Sequence, residues 1–319
     1  MKKEKYSVGV DLGGTNIKIG IVTNTGTIVS KISLKTEAEK GPSHIIKQII
    51  AGIYSILKTH DHSIKGIGIG FPGTVSVKTG LVESPPNLPG WGRVDLRKKI
   101  EKEFKTKVFL ENDANAAAIG ELIFGSGKKY NSFVMVTLGT GVGGGIVINK
   151  KIFHGETGAA GEIGHVIINN NGAACNCGSI GCVEAYAGTN YLKDFVRGEL
   201  IEQPDSKLWH FINNNLKEVS PKNIQAAAEA GDEYAMTIIL TLGCNIGTAL
   251  TSVSNLLDIT TFIIGGGISG FGKPLLNSIK DTVVKKVLTP KKKKVKIIPA
   301  KLKNDAGIKG ASALVFYKS

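Results

Sequence analysis

Arginine is nearly missing from a chain that is otherwise rich in positive charge. Of 40 basic residues in 319, only Arg93, Arg97 and Arg197 are arginines, yet the net charge is +14 at pH 7. Reading of a nucleic-acid backbone usually draws on the bidentate guanidinium fork, so a charge carried by lysine argues against a nucleic-acid partner. The densest run, PKKKKVKIIPAKLK over 290–303, alternates lysine with apolar residues after Val295 and reads as a strand with one solvated face. Long apolar runs are also missing. No stretch reaches the roughly 18 uninterrupted apolar residues of a membrane span, and the N-terminus meets Asp11 before any signal-peptide core could form. The expectation is a cytoplasmic protein with no membrane partner.

Cysteine is scarce as well, with four in all, and three of them fall with a histidine inside HVIINNNGAACNCGSIGC, residues 165–182. Reducing cytosol disfavours a disulfide knot and leaves metal binding as the reading for closely spaced thiols. His165, Cys175, Cys177 and Cys182 make four N/S ligands, the number that closes a tetrahedral structural Zn²⁺ site and leaves no open position for catalysis. Paired ligands framing a recognition helix are absent, so a nucleic-acid finger is not supported. Cys244, in an apolar helical stretch, reads as a buried core thiol.

Hydrophobic residues make up 42% and charged ones 21% of a chain long enough for two globular domains. YSVGVDL, NIKIGIVT and TIVSKISLK read as three successive strands. PSHIIKQIIAGIYSILKTH then carries a helical stripe of Ile45, Ile49, Ile53, Ile56 and Leu57. Strand IKGIGIGF, a Pro/Gly-rich loop, a short helix near 94–104, strand KVFLEN and helix ANAAAIGELIF complete a βββαβαβα order. The second half opens alike, with NSFVMVTLG and GGGIVINK, and closes with helix, strand, helix, strand and helix around DITTFIIG and VKIIPA. The chain therefore reads as one plan used twice, with an insertion at roughly 151–230 that holds the cysteine cluster.

Two strings, GIGFPG (68–73) and GTGVGG (139–144), satisfy G-x-G-x-x-G. A dinucleotide fold needs strand, turn and then helix, so that pyrophosphate meets the helix N-terminus, and here a strand follows both. No G-x-x-x-x-G-K-[ST] string exists, which excludes the ordinary P-loop. Each glycine hairpin alone could be a plain tight turn. As a pair in two related halves, they can present backbone N–H groups to a polyphosphate from opposite sides.

DLGGTNIKIGIV, ENDANAAAIGE, LGTGVGGGIV, GEIGH, CNCGSIGCVE and IIGGGIS occur in the order and spacing of the ROK family of bacterial sugar kinases and repressors, which the chain resembles over essentially its whole length. The resemblance implies an α/β, duplicated ribonuclease-H-like (actin-like) fold with nucleotide and sugar in the cleft between two domains. These would span 1–118 with 304–319, and 119–303, the last helix packing back on the N-terminal domain. It implies ATP binding by Asp11, Gly13, Gly14, Thr15, Lys18, Thr140 and Gly141, with Thr15, Lys18, Thr140 and Gly141 on the phosphates, and a nucleoside lying over Gly265, Gly266 and Gly267, which read locally as a strand-to-helix turn. Asp11 would hold Mg²⁺, bound with ATP, through water.

For the sugar, the resemblance points to Asn87, Asn112, Asp113, Glu162, His165 and Glu184. It makes Asp113 the general base. On local grounds Asp113, Asn112 or Asn115 would serve equally as a helix cap, and Glu162 and Glu184 as surface acids. Trp91 reads as the anchor of its own loop, or as a face for the sugar. The expected activity is ATP-dependent phosphorylation of a hexose, glucose first, with N-acetylmannosamine, N-acetylglucosamine, mannose or fructose as alternatives. A sugar-responsive repressor is the alternative of another class, but Asp11 lies too near the start to leave room for a preceding helix-turn-helix. A homodimer or homotetramer is implied. Because the cluster lies between Glu162 and Glu184, a zinc ion there would hold two sugar-binding carboxylates in place.

Overall fold

The computed structural model describes residues 4–73, 75, 76, 79–83 and 88–318. The chain begins with strands β1 (Tyr6–Leu12), β2 (Asn16–Thr23) and β3 (Ile28–Lys35), helix α1 (Pro42–Leu57) and strand β4 (Ile64–Phe71). A short hairpin, β5 (Leu81–Glu83) and β6 (Arg93–Asp95), leads into α2 (Leu96–Phe104), β7 (Val108–Asn112) and α3 (Asp113–Phe124). The second half runs β8 (Phe133–Leu138), β9 (Val142–Ile148), β10 (Lys151–Ile152), α4 (Glu184–Ala187), α5 (Thr189–Glu199), α6 (Leu208–Phe211), α7 (Pro221–Glu229), α8 (Glu233–Leu257), β11 (Thr261–Gly265), α9 (Lys273–Lys286), β12 (Lys296–Pro299) and α10 (Ala306–Lys318).

The first sheet has the order β3-β2-β1-β4-β7 and the second β10-β9-β8-β11-β12, the same arrangement twice. In the first, β2 is antiparallel to its neighbours β1 and β3, while β4 runs parallel to β1 and β7. In the second, β10 is antiparallel to β9, and β11 runs parallel to β8 and β12. This is the duplicated α/β, actin-like architecture. The chain divides into two compact units, residues 1–131, 145–160 and 301–319 in one, and 132–144 with 161–300 in the other.

In the first unit, β-branched residues of β1, β2 and β4 and the α1 stripe Ile45, Ile49, Ile53 and Ile56 form one fully buried cluster. Each such isoleucine contributes about 1.5–3 kcal/mol through removal from water. Helix α10 lies so close to β1 and β4 that a β-carbon at Gly9 or Gly68 would collide with the carbonyls of Ile308 and Ala311. The Ser7 and Ser312 hydroxyls meet at 2.7 Å between them.

In the second unit, α8 starts on Asp232, whose buried carboxylate accepts the Ala235 N–H at 2.6 Å. It is the one described helix long and apolar enough to cross a membrane, and 56% of its most apolar window is buried. Gly243 and Gly247 let it close on Ser278 and Thr282 of α9. Cys244, expected in the core, is exposed instead. The inward face of α8 passes through Gly243 and Gly247, and the next residue, about 100° around the helix, turns away. The Pro/Gly-rich loop also holds the β5–β6 hairpin, and Trp91 is buried there against Phe71, ring centroids 4.9 Å apart.

Candidate active site and metal centre

At the carboxyl ends of the parallel strands in the first unit, Asp11, Gly70 and Glu111 stand side by side on β1, β4 and β7, and Asn112 is opposite Phe71. Carboxyl strand ends are where open α/β sheets collect their ligands. Asp11, the last residue but one of β1, stands opposite Lys18 of β2. Burial pushes its carboxyl above the usual range, and the Lys18 charge pulls it back. Gly307, at the start of α10, packs so tightly on this carboxylate that a side chain there would displace it.

Gly13, Gly14 and Thr15 form the β1–β2 turn. Gly13 N–H donates to Asn16 O at 3.0 Å, and Thr36 braces the turn with a 2.6 Å hydroxyl bond to Gly13 O. Gly14 and Thr15 are exposed, with their surfaces available to a ligand.

The β7–α3 junction settles which residue caps the helix. Asn112 Oδ1 accepts the N–H groups of Ala114 and Asn115 at 2.9 and 3.1 Å, and its Nδ2 donates to Gly73 O at 3.2 Å. Asp113 begins α3 as an exposed residue, with Oδ1 2.8 Å from Ala114 N. Sequence reasoning missed what lies beneath. Glu111 is 1% exposed, and its carboxylate meets His154 Nε2 at 3.0 and 3.1 Å and Asn115 Nδ2 at 3.3 Å. A carboxylate at the end of a buried strand, directly before the Asn-Asp pair, was the available signal. Its partner, 43 residues away, gave none. Asn87 lies outside the described residues.

In the second unit, Thr140 and Gly141 form the turn between β8 and β9, with Gly139 N–H bonded to Gly141 O at 2.9 Å. Thr189 ties this turn to α5, donating from its N–H and hydroxyl to Gly139 O at 2.9 and 2.7 Å. Glu184 Oε2 accepts Val142 N–H at 2.8 Å, and a side chain on Gly141 would collide with that carboxylate. Gly265 ends β11 opposite Thr137 of β8, and Gly266 and Gly267 follow it. Gly266 adopts φ 87°, and a β-carbon there would strike the Leu138 backbone.

His165 turns Nδ1 toward Cys175 Sγ, 3.8 Å away, and Nε2 toward Glu162 Oε2, 4.0 Å away. Cys177 and Cys182 Sγ are 3.7 Å apart, and all four ligand atoms lie within 4.8 Å of one another. Tetrahedral zinc with Zn–S near 2.3 Å and Zn–N near 2.0 Å places ligand atoms about 3.5–3.8 Å apart, so the donor set and spacing fit that ion. The frame is built by backbone pairing of Ile167 with Cys182 and Ala174 with Ile180, and by the Tyr186 and Tyr191 hydroxyls, which accept the N–H groups of Ala173 and Asn176 at 3.0 and 2.7 Å. Burial, with the neighbouring thiols, pushes Cys182 up to about 12. A backbone hydrogen bond from Ser179 pulls Cys177 down.

The sequence matches the ROK family model over residues 7–318. Similar proteins include the glucokinase of Thermotoga maritima, 34% identical over 308 residues, 97% of this chain and 96% of that one. The xylose repressor of Caldicellulosiruptor bescii is 30% identical over 312 residues, 97% of this chain and 77% of the repressor. Among solved structures, a ROK family glucokinase from Streptomyces griseus in complex with glucose and AMPPNP is 33% identical, with 97% of this chain and 98% of that one covered and a TM-score of 0.85. The chain belongs to the ROK family.

Proposed function

We propose that the protein is an ATP-dependent hexose kinase that phosphorylates glucose. The observation that carries this reading is the nearly full-length likeness to glucokinases, one of them solved with glucose and AMPPNP, in a chain that keeps an exposed Asp113 at the β7–α3 junction while Asn112 does the capping.

Asp113 is the base, accepting the proton of the attacking sugar hydroxyl. Phosphoryl transfer passes through a loose transition state, so Asp113 orients the hydroxyl more than it drives the attack. Glu111, fixed by His154, holds the turn that aims Asp113. The turns at Gly13–Thr15 and Thr140–Gly141 offer N–H and hydroxyl donors to phosphate oxygens, Lys18 supplies a cation, and Gly265–Gly267 lie under the nucleoside. Asp11 would hold, through water, the Mg²⁺ that accompanies ATP, an ion that would supply neutralising charge to the phosphates. Asn87, Asn112, Glu162, His165 and Glu184 bind sugar hydroxyls. His165, Cys175, Cys177 and Cys182 hold a structural zinc, a thiol-rich site that suits the reducing cytoplasm.

A coupled ADP-release assay across a panel of hexoses and amino sugars, with ATP and polyphosphate as donors, tests the reading. Turnover fastest on glucose with ATP is expected, and preference for N-acetylmannosamine or another sugar reassigns the substrate. Salt-sensitive, sequence-specific DNA binding in a gel-shift assay, without turnover, would favour a regulator instead. Light scattering on the purified protein checks the expected homodimer or homotetramer.

A further inference from the structure

The first unit carries a concavity at the end of its sheet opposite the Asp113 turn. A cavity of about 710 Å³ is lined by Lys5, Asn24, Lys65, Lys105, Lys107, Thr106, Phe109 and Phe316. The sheet itself sets this arrangement. Lys5 directly precedes β1, Lys65 is the second residue of β4 and Lys107 directly precedes β7, so three neighbouring parallel strands each bring a lysine to their amino ends. The register holds them together, with Tyr6 opposite Ile64, and Lys107 O accepting Ile67 N–H at 3.0 Å. Lys105 adds a fourth ammonium from the left-handed residue that ends α2. Asn24 is fixed by its own N–H bond to Lys5 O at 2.8 Å.

Among the described residues, no acidic one lines this cavity. None of the four lysines forms an ion pair or a side-chain hydrogen bond among the described residues. Four uncompensated ammonium groups around one concavity repel one another, and an anion in their midst removes that repulsion. Phe109 and Phe316 are both partly buried and give the cavity an apolar wall beside the charge. The volume is that of an ordinary small-molecule site, and four lysines about a hollow suit a compact ligand better than the extended backbone of a nucleic acid.

The place is distinct from the kinase centre. Asp11 stands at the other end of β1, roughly 20 Å away by strand rise. Helix α10 runs from one place toward the other, with Gly307 against the Asp11 carboxylate at its start and Phe316 in the cavity wall near its end.

We propose that this lysine-lined cavity binds a phosphorylated small molecule with an aromatic or apolar body, its phosphate held by Lys5, Lys65, Lys105 and Lys107 and its body packed on Phe109 and Phe316. Lysine acts as a point-charge phosphate binder, so the site selects for charge and size more than for a fixed hydrogen-bond pattern.

The test is isothermal titration of naphthyl phosphate and of inorganic pyrophosphate into the whole protein, saturated with glucose and a non-hydrolysable ATP analogue. Naphthyl phosphate should bind saturably at one site per chain, and more weakly as salt is raised. The paired substitution Lys65→Glu with Lys107→Glu should weaken both probes about tenfold or more by reversing two of four charges. Phe316→Leu should weaken naphthyl phosphate while leaving pyrophosphate within about twofold, because only the ring contact is lost. Circular dichroism checks folding, and if the reversal pair does not fold, Lys65→Gln with Lys107→Gln replaces it. Saturable binding that the lysine variants leave unchanged overturns the proposal, as does the lack of any saturable binding. A DNA duplex bound through the same lysines more tightly than either probe would overturn the small-ligand reading.

Discussion

The Glu184 carboxylate accepts the Val142 N–H at 2.8 Å, and this bond joins the first turn of α4 to the arm of the hairpin that carries Thr140 and Gly141. A residue assigned to the sugar thereby also sets the backbone assigned to phosphate. Glu184→Gln keeps a carbonyl oxygen for Val142 and loses the charge, whereas Glu184→Ala loses both. A lost backbone hydrogen bond costs on the order of 1 kcal/mol, roughly a fivefold effect on binding. The glutamine variant should therefore raise KM for sugar while leaving KM for ATP within about twofold, and the alanine variant should raise both. Steady-state kinetics with each substrate varied in turn reads the difference. An unchanged KM for ATP in the alanine variant would show that the hairpin does not depend on Glu184.

Asp113 and Asn112 should separate cleanly by mutation. Asp113→Asn removes the proton acceptor and should lower kcat by about 10²–10⁴-fold. The thermal midpoint should hardly move, since Asn112 Oδ1 still accepts the N–H groups of Ala114 and Asn115. Asn112→Ala removes that cap and should cost about 1 kcal/mol of stability. Near-normal turnover in Asp113→Asn would sink the assignment of the base.

Metal content gives a third test. The purified protein should carry one zinc per chain, and Cys177→Ser or prolonged chelation should release it. Loss of the ion should free His165 and the strand pairing of Ile167 with Cys182, which lie between Glu162 and Glu184 in the chain. Sugar affinity by titration calorimetry should then fall more than ATP affinity does. Sugar affinity that survives verified zinc loss would refute a positioning role for the ion.

The local frame of the candidate site was readable because its signals are local. The hairpins, the Asn-Asp junction and the His/Cys spacing each lie within about twenty residues, where strand period, capping chemistry and ligand count constrain geometry directly. Repetition of one strand order in both sheets followed from the periodicity of the two halves. What escaped is long-range. His154 reaches Glu111 across 43 residues, and no pattern in either neighbourhood announces the pair. Cys244 went wrong because an apolar window reports average burial, whereas the face a single residue presents depends on where Gly243 and Gly247 seat the helix. The lysine-lined cavity was hidden for a related reason. Lys5, Lys65 and Lys107 are unremarkable in sequence and meet only because β1, β4 and β7 are adjacent and parallel.

Near that same end of the sheet, His60 should make stability depend on pH. The His60 ring meets Tyr6 edge-on at 4.7 Å and His62 at 5.4 Å, while His62 stacks on Tyr6 at 5.1 Å. His60 Nε2 is buried without a hydrogen-bond partner among the described residues. Burial lowers the His60 pKa below its ordinary 6.5, His62 lowers it further, and Asp61 opposes both. Around that pH the unfolded chain binds more protons at this residue than the folded one, so stability rises with pH. In the other direction, stability is lost as pH falls through 6.5, and the loss is complete below the lower, folded-state value. His60→Phe keeps a ring against Tyr6 and removes the titration. Thermal midpoints followed from neutral to mildly acid pH should therefore fall less steeply for the variant than for the wild type, with kinase turnover at neutral pH unchanged. Parallel slopes for the two proteins would exclude His60 as a source of the acid sensitivity.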